Sequence, residues 1–210
     1  DLKNLPIPRY DLMRLDRYKI PNIPVQTTRG CPWNCNYCEV TQVYGGKYRF
    51  RPVEEVIEEI QSAVRSTKRQ LIYFVDDNFN ASPKRTMTLM EKMLPLRVKW
   101  TALCTMNIGN DPEFLRLMRK SGCVHINLGM ETINPESLSS IEKRQNTIHQ
   151  YEKQIKALRK AGIDFSINVM FGLDGDTREV FGLTQDFLIR NKVPTAYMFI
   201  LAPRVGTRIR

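Results

Sequence analysis

Short apolar runs alternate with amphipathic stretches along most of this chain, and that alternation most narrows the folds open to it. Runs of about four to eight apolar, β-branched or aromatic residues bounded by turn signals have the length of strands. Stretches with apolar residues three and four apart have the period of a helix lying on a core. Strands separated by single helices pair in parallel through crossovers, so the expected class is α/β with one parallel sheet.

Six strands are expected, over Val25 to Thr28, Leu71 to Val75, Val98 to Cys104, Val124 to Leu128, Phe165 to Phe171 and Ala196 to Leu201. Between them, Pro52 opens a helix that carries Val53, Val56, Ile57, Ile60 and Val64 on one face, with Glu54, Glu55, Glu58 and Glu59 near its start. Ser82-Pro83 starts a helix whose Met87, Met90, Met93 and Leu94 read as core at helical spacing. Asp111 and Pro112 supply N-cap and first turn for a helix through Phe114, Leu117 and Met118 that stops at Gly122. Thr147 to Ala161 is helical with Tyr151, Ile155 and Leu158 inward and Gly162 as a left-handed cap, and Thr177 to Ile189 forms the last helix. Six strand-helix units are too few to close an eight-stranded barrel. Residues 1–24, interrupted by Pro6, Pro8, Pro21 and Pro24, read as an extended arm, and residues 25–210 as one domain.

The chain of 210 residues carries five cysteines, an odd number, and starts without an apolar targeting segment, which favours a reducing cytoplasm over a disulfide framework. No apolar run approaches the ~20 residues of a membrane span. The formal charge of +10 is scattered over helices at Lys84, Arg85, Arg116, Arg119, Lys120, Arg159 and Lys160, as solvated faces would be, with a denser tail at Arg204, Arg208 and Arg210. Nucleic acid is disfavoured, because no Lys/Arg block or binding motif is present.

Chemistry concentrates where the expected strands end. The first leads into Cys31-Pro-Trp-Asn-Cys35-Asn-Tyr37-Cys38, three thiols within eight residues and no fourth nearby. The spacing fits neither paired zinc ligands nor the ferredoxin run, and one metal position is left open. A zinc site completed from elsewhere and metal-free thiols are the alternatives. After the second strand, Asp76-Asp77-Asn78 could accept hydrogen bonds from an ammonium group, bind a metal or cap a helix. After the fourth, Glu131 within Gly129-Met130-Glu131-Thr132 could accept from ribose hydroxyls or cap a helix. Asn168 to Thr177 follows the fifth, with Gly172 allowing close backbone approach, and Leu201-Ala-Pro203-Arg-Val205-Gly206-Thr207 follows the sixth. His125 reads as a satisfied core histidine, His149 as surface, Cys104 and Cys123 as buried thiols, Gly45-Gly46 as a turn, and Arg29, Arg49 and Arg51 as solvated flanks of the cysteine loop.

The C-x3-C-x2-C spacing, with Tyr37 before the last cysteine, resembles the cluster loop of the radical S-adenosylmethionine (radical SAM) superfamily. That resemblance implies an open, three-quarter (β/α)6 partial TIM barrel. It also implies a 4Fe-4S cluster on Cys31, Cys35 and Cys38, with the remaining iron chelated by the amino and carboxylate groups of S-adenosylmethionine. By the same resemblance Tyr37 lies at the cofactor, one of Asp76, Asp77 and Asn78 meets the methionyl amino group, Glu131 the ribose, and Asn168, Phe171 and Gly172 the adenine. The family often has proline where Asp174 and Val205 stand. Leu5-Pro-Ile-Pro-Arg-Tyr-Asp-Leu12 and Phe74-Val-Asp-Asp-Asn-Phe79 are similar to the cobalamin-linked branch, which implies a cobalamin-binding domain ahead of residue 1 in a longer parent. The implied activity is reductive cleavage of S-adenosylmethionine to a 5′-deoxyadenosyl radical that abstracts hydrogen from a small-molecule substrate, for cobalamin-dependent methylation or cyclisation. A flavodoxin or ferredoxin would be the reductant. A non-catalytic iron-sulfur electron-transfer or metal-storage module and an RNA-modifying enzyme of the same fold are the other readings.

Overall fold

The computed structural model describes residues 2–19 and 22–209; Pro21 and Arg210, named above, lie outside the described residues. Six strands form one parallel sheet: β1 (Asn22–Val25), β4 (Leu71–Phe74), β5 (Lys99–Thr105), β6 (Cys123–Glu131), β7 (Phe165–Phe171) and β8 (Thr195–Ile200). They stand in chain order across the sheet, every neighbouring pair parallel. Each crossover therefore steps one place in the same direction, as in a barrel that stops at six strands. The crossovers carry α2 (Val53–Thr67), α3 (Pro83–Met93), α4 (Pro112–Lys120), α6 (Tyr151–Lys160) and α7 (Glu179–Arg190). Two short strands, β2 (Thr28–Arg29) and β3 (Arg49–Phe50), pair antiparallel on either side of α1 (Glu39–Tyr44).

The core lies between the sheet and its helices. Ile72, Phe74, Trp100, Ile126, Leu128, Phe165 and Ile167 are fully buried against Val56, Ile60, Leu89, Met90, Met93, Met118, Tyr151 and Leu158. Phe74, Phe79 and Trp100 form an aromatic trio with ring centroids 4.7, 5.1 and 5.7 Å apart. Met90 and Met93 of α3 are core and Met87 packs against it, as their spacing predicts, whereas Leu94 falls beyond the helix end at Met93 and is exposed. The other face of the sheet is a hollow of about 420 Å³ that exposes Tyr73, Thr101, His125, Asn127, Tyr197 and Phe199.

Several boundaries differ from the sequence-based expectation, each for a physical reason. The first strand spans Asn22–Val25, earlier than Val25 to Thr28, and contains Pro24; as the sheet edge, β1 can lack one amide donor without losing a ladder bond it needs. The arm before it makes two 3-10 turns, Tyr10–Leu12 and Leu15–Arg17, and buries Tyr10. β6 continues to Glu131 through an irregularity between Gly129 and Glu131. α6 starts at Tyr151 after a 3-10 turn, and α7 at Glu179. Asp111 caps α4 by accepting from the Phe114 amide at 2.9 Å, and Gly162 takes φ +68°. The six-residue helices α1 and α5 (Pro135–Ser140) are too short to announce a period.

Candidate cluster and cofactor site

The cysteine loop leaves the barrel top at Gly30, whose amide donates to Asp77 Oδ2 at 3.0 Å. Gly30 has φ +86°, and a Cβ there would stand 2.1 Å from the Lys47 carbonyl oxygen, so only glycine fits. A turn closed by the Cys38 amide on the Cys35 carbonyl at 3.2 Å brings the thiols round. Cys31, Cys35 and Cys38 line one cavity of about 180 Å³, together with Tyr37, Asp77, Asn78, Glu131 and Asn168. Burial, set against nearby backbone amides, raises the thiols of Cys31 and Cys38.

These residues fit an iron-sulfur cluster. Side-chain amides aim N–H donors at two of the sulfurs: Gln145 Nε2 at Cys35 Sγ, 3.6 Å, and Asn78 Nδ2 at Cys31 Sγ, 3.9 Å. Such donors suit thiolates, and hydrogen bonds to sulfur tune a cluster's potential. Asn78 Oδ1 is buried without a protein partner, an acceptor that a bound ligand could satisfy. Among the described residues no three His, Cys, Asp or Glu side chains converge on a single-ion site.

The three residues after β4 have separate tasks. Asp76 is 2% exposed, and its Oδ1 accepts from the Thr27 and Thr28 amides at 2.6 and 3.0 Å while Oδ2 accepts from Thr27 Oγ1 at 2.5 Å. It straps the chain that feeds the cysteine loop and does not line the cavity. Burial pushes its carboxyl above the ordinary range, with the Thr27 and Thr28 donors pulling back. Asp77 and Asn78 do line the cavity.

Glu131 sits at φ +70°, uncommon for any residue but glycine. The strand irregularity re-aims it. Lys143 Nζ holds it at 2.7 Å from Oε1 and also donates to Tyr37 OH at 3.1 Å. Gly129 leaves the room for this pair: a Cβ there would lie 2.6 Å from Glu131 Oε1 and 2.9 Å from Lys143 Nζ. Burial pulls the Lys143 ammonium down, but Glu131, Tyr37 and Cys35 outweigh it and hold it well above its usual value. Burial likewise drives the Tyr37 phenol well up, although Lys143 eases it back. Lys143 and Gln145 were not legible in sequence, since both lie in a polar turn with no periodic signal.

Asn168 borders both the cluster cavity and the larger hollow on the same sheet face. The Phe171 ring is buried against Phe181, centroids 4.7 Å apart, and Gly172, at φ +84°, donates its amide to Asp176 Oδ2 at 2.9 Å with open space beside its Cα. His125 is not a core histidine; it is partly exposed on the hollow, with Nδ1 2.7 Å from Asp164 and Nε2 3.0 Å from Ser166. Cys104 and Cys123 are buried, as expected. Arg51 is not solvated: it is 4% exposed, paired with Glu59 at 2.5 Å and bonded to the Gln26 carbonyl at 2.8 Å, and Tyr10 OH reaches the same carboxylate at 2.6 Å. Arg85, read as a solvated helix residue, bonds the Thr27 and Arg51 carbonyls at 3.1 and 2.7 Å. A guanidinium on a helix can satisfy inward-facing loop carbonyls that sequence pattern cannot reveal.

Residues 25–188 match the family model of the Radical SAM superfamily. The chain belongs to the radical SAM superfamily. Radical SAM proteins use a 4Fe-4S cluster and S-adenosylmethionine, with small-molecule substrates and an external reductant. The chain is 35% identical over 187 residues to bacteriochlorophyllide d C-12(1)-methyltransferase of Chlorobaculum tepidum, covering 88% of this chain and 41% of that protein. It is 29% identical over 200 residues to hopanoid C-2 methylase of Rhodopseudomonas palustris, covering 92% of this chain and 38% of that protein. It thus spans about two-fifths of the length of these curated relatives. The structure of the radical S-adenosylmethionine methyltransferase TsrM from Kitasatospora setae, with cobalamin and a [4Fe-4S] cluster bound, superposes with a TM-score of 0.76 at 22% identity, covering 84% of this chain and 36% of that one. That likeness supports the open partial barrel. No helix among the described residues is long and apolar enough to cross a membrane.

Proposed function

We propose that this chain is the S-adenosylmethionine-cleaving core of a radical methyltransferase of the cobalamin-linked branch. The observation that carries the reading is one cavity in which three cysteines meet Asn78, Glu131 and Asn168, an acceptor or amide from each of three strand ends. Cys31, Cys35 and Cys38 would hold three irons of a 4Fe-4S cluster, and the cofactor would complete the fourth. Bound there, cluster and cofactor supply one-electron cleavage of a carbon–sulfur bond and a hydrogen-abstracting carbon radical.

The protein's own part is binding, orientation and exclusion of water. Asn78 suits the methionyl ammonium better than Asp76, because its Oδ1 has no partner while both Asp76 oxygens are engaged. Glu131, steadied by Lys143, suits the ribose hydroxyls. Asn168, which lines the cavity, and Gly172, whose backbone is open to close approach, suit the adenine. Asp77 holds Gly30 and so the loop entrance. In this assignment residues from 25 onward form the catalytic domain and the preceding segment is a linker.

Methyl transfer by the parent protein is favoured over ring closure by the two methylating relatives named above. An acidic flavodoxin or ferredoxin in a reducing cytoplasm suits both the +10 charge and the unpaired thiols. The RNA-modifying alternative is weaker, because the relatives named above methylate, by their names, a bacteriochlorophyllide and a hopanoid.

Anaerobic reconstitution with iron and sulfide, then reduction with and without S-adenosylmethionine, tests the reading. 5′-Deoxyadenosine should form only with cluster, cofactor and reductant all present, and not in Cys35→Ala. A cluster spectrum indifferent to the cofactor, with no 5′-deoxyadenosine, would leave the electron-transfer module standing instead. Transfer of label from methyl-deuterated cofactor by the parent protein separates methylation from cyclisation.

A further inference from the structure

The stretch after β8 turns back toward the cysteine loop. Its Leu201 amide still bonds the Phe171 carbonyl at 2.8 Å, but by residue 204 the chain has left the sheet. A tight turn follows, in which the Thr207 amide and hydroxyl both donate to the Arg204 carbonyl, at 3.1 and 2.7 Å, with Gly206 at φ +87°. Beyond it, the Arg208 and Ile209 amides both donate to the Asn36 carbonyl, at 3.0 and 3.1 Å. The Arg208 guanidinium bonds the Asn34 carbonyl at 2.6 Å and Glu142 at 2.9 Å. Ile209 is buried with Ile141, Met170 and Leu173 in a small apolar cluster against Tyr37.

Asn36 lies between Cys35 and Tyr37 and is gripped from the opposite side as well. Its amide donates to the Ile141 carbonyl at 3.2 Å and its Nδ2 to the Ser140 carbonyl at 2.6 Å. The middle of the cysteine loop is thus pinned between two segments more than a hundred residues away in the chain. Ile141 serves both, through its carbonyl on Asn36 and its side chain on Ile209.

We propose that residues 204–209 are a clamp that holds the cysteine loop in its cluster-binding shape, with Asn36 as the gripped residue and Ile209 as the seat. The Gly206-Thr207 turn then serves the cysteine loop, by aiming residues 208 and 209 at Asn36. Gly206 is there because the turn needs a left-handed residue, and Thr207 because its hydroxyl closes the turn. Ile209 and Arg208 are positioning residues, acting on the sulfurs through Asn36. The consequence for a cluster rests on the proposed function; the grip on the loop does not.

Alkylation of the individual cysteines in the metal-free full chain, followed by mass spectrometry, reads the clamp directly. Cys104 and Cys123, buried in the sheet, report global opening in the same sample. Ile209→Asp should raise the Cys35 rate about tenfold or more, a loss of roughly 1.4 kcal/mol of local closure. Cys104 and Cys123 should stay slow in the same variant. Ile209→Val should restore the wild-type rate, and Ile189→Ala, exposed on α7 away from the loop, should leave it unchanged. After reconstitution Ile209→Asp should bind less iron and show a shifted cluster potential. An unchanged Cys35 rate, a parallel rise at Cys104 and Cys123, or an opened loop with wild-type iron content and potential would each overturn the clamp. A wild-type protein that forms no 5′-deoxyadenosine while the alkylation pattern holds would sink the radical reading and leave the clamp intact.

Discussion

Replacing Asp76 separates a residue that holds the site together from one that binds a ligand. In Asp76→Ala, two buried backbone amides, of Thr27 and Thr28, lose their acceptor, and the Thr27 hydroxyl loses one of its partners. A buried donor left unsatisfied costs about 1–3 kcal/mol, so the two amides together cost about 2–6 kcal/mol. Burying a carboxylate is itself unfavourable, as its raised pKa records, and its removal offsets part of that loss. A net destabilisation of about 3 kcal/mol is expected. Asp76→Asn keeps one oxygen for both amides, and the Thr27 hydroxyl, which already accepts from Arg85 at 3.2 Å, can reverse and accept from the new amide as well. That variant should lose about 1 kcal/mol or less.

Urea unfolding followed by far-ultraviolet circular dichroism measures both, as a midpoint shift at unchanged slope; at about 1–3 kcal/mol per molar urea, the alanine variant shifts by roughly 1–3 M. The pH dependence carries a sign. The folded carboxyl has a higher pKa than the unfolded one, so its ionised form weakens folding at neutral pH. That cost fades as pH falls through the raised folded value toward the ordinary one near about 4. Wild type should therefore gain on Asp76→Asn in mild acid. If Asp76→Ala were as stable as wild type, or Asp76→Asn lost as much as Asp76→Ala, the strap would be refuted. Loss of S-adenosylmethionine binding in a fully stable Asp76→Asn would return the residue to the cofactor.

Two further substitutions probe the loop and the buried ion pair. Gly30→Ala combines a left-handed backbone with a Cβ 2.1 Å from the Lys47 carbonyl, and should prevent cluster loading while the far-ultraviolet spectrum of the sheet persists; normal iron content would contradict the loop geometry. Lys143→Met strands Glu131 without its cation and should cost about 3–5 kcal/mol. Lys143→Met with Glu131→Gln should recover most of it, as read by thermal denaturation, and a double variant no better than the single would show that the charges are not coupled.

Much of the architecture follows from local pattern. β7 spans the residues its apolar run marks, α4 begins at its Asp-Pro signal, and the methionines of α3 fall where a 3.6-residue period puts them. The cysteine loop is legible for the same reason, since Cys31, Cys35 and Cys38 lie within eight residues. Pro24 within β1 and the two six-residue helices were misread or missed because edge position and short length leave no periodic trace.

The supports of the site belong to another class of information. Glu131 and Tyr37 meet Lys143 across 12 and 106 residues, Thr27 meets Asp76 across 49, and Arg208 meets the Asn34 carbonyl across 174. Repeating apolar spacing specifies which face of an element is buried, and with it the strands, helices and strand ends where ligands can gather. It carries no record of which polar group will face which once the sheet has curled. By itself, therefore, the sequence determined a six-stranded parallel α/β core with a three-cysteine loop at its mouth. Only the tertiary structure decided that Asp76 is a strap, that Lys143 steadies Glu131, and that the segment after the last strand grips the cysteine loop, because each depends on long-range closure that local periodicity does not encode.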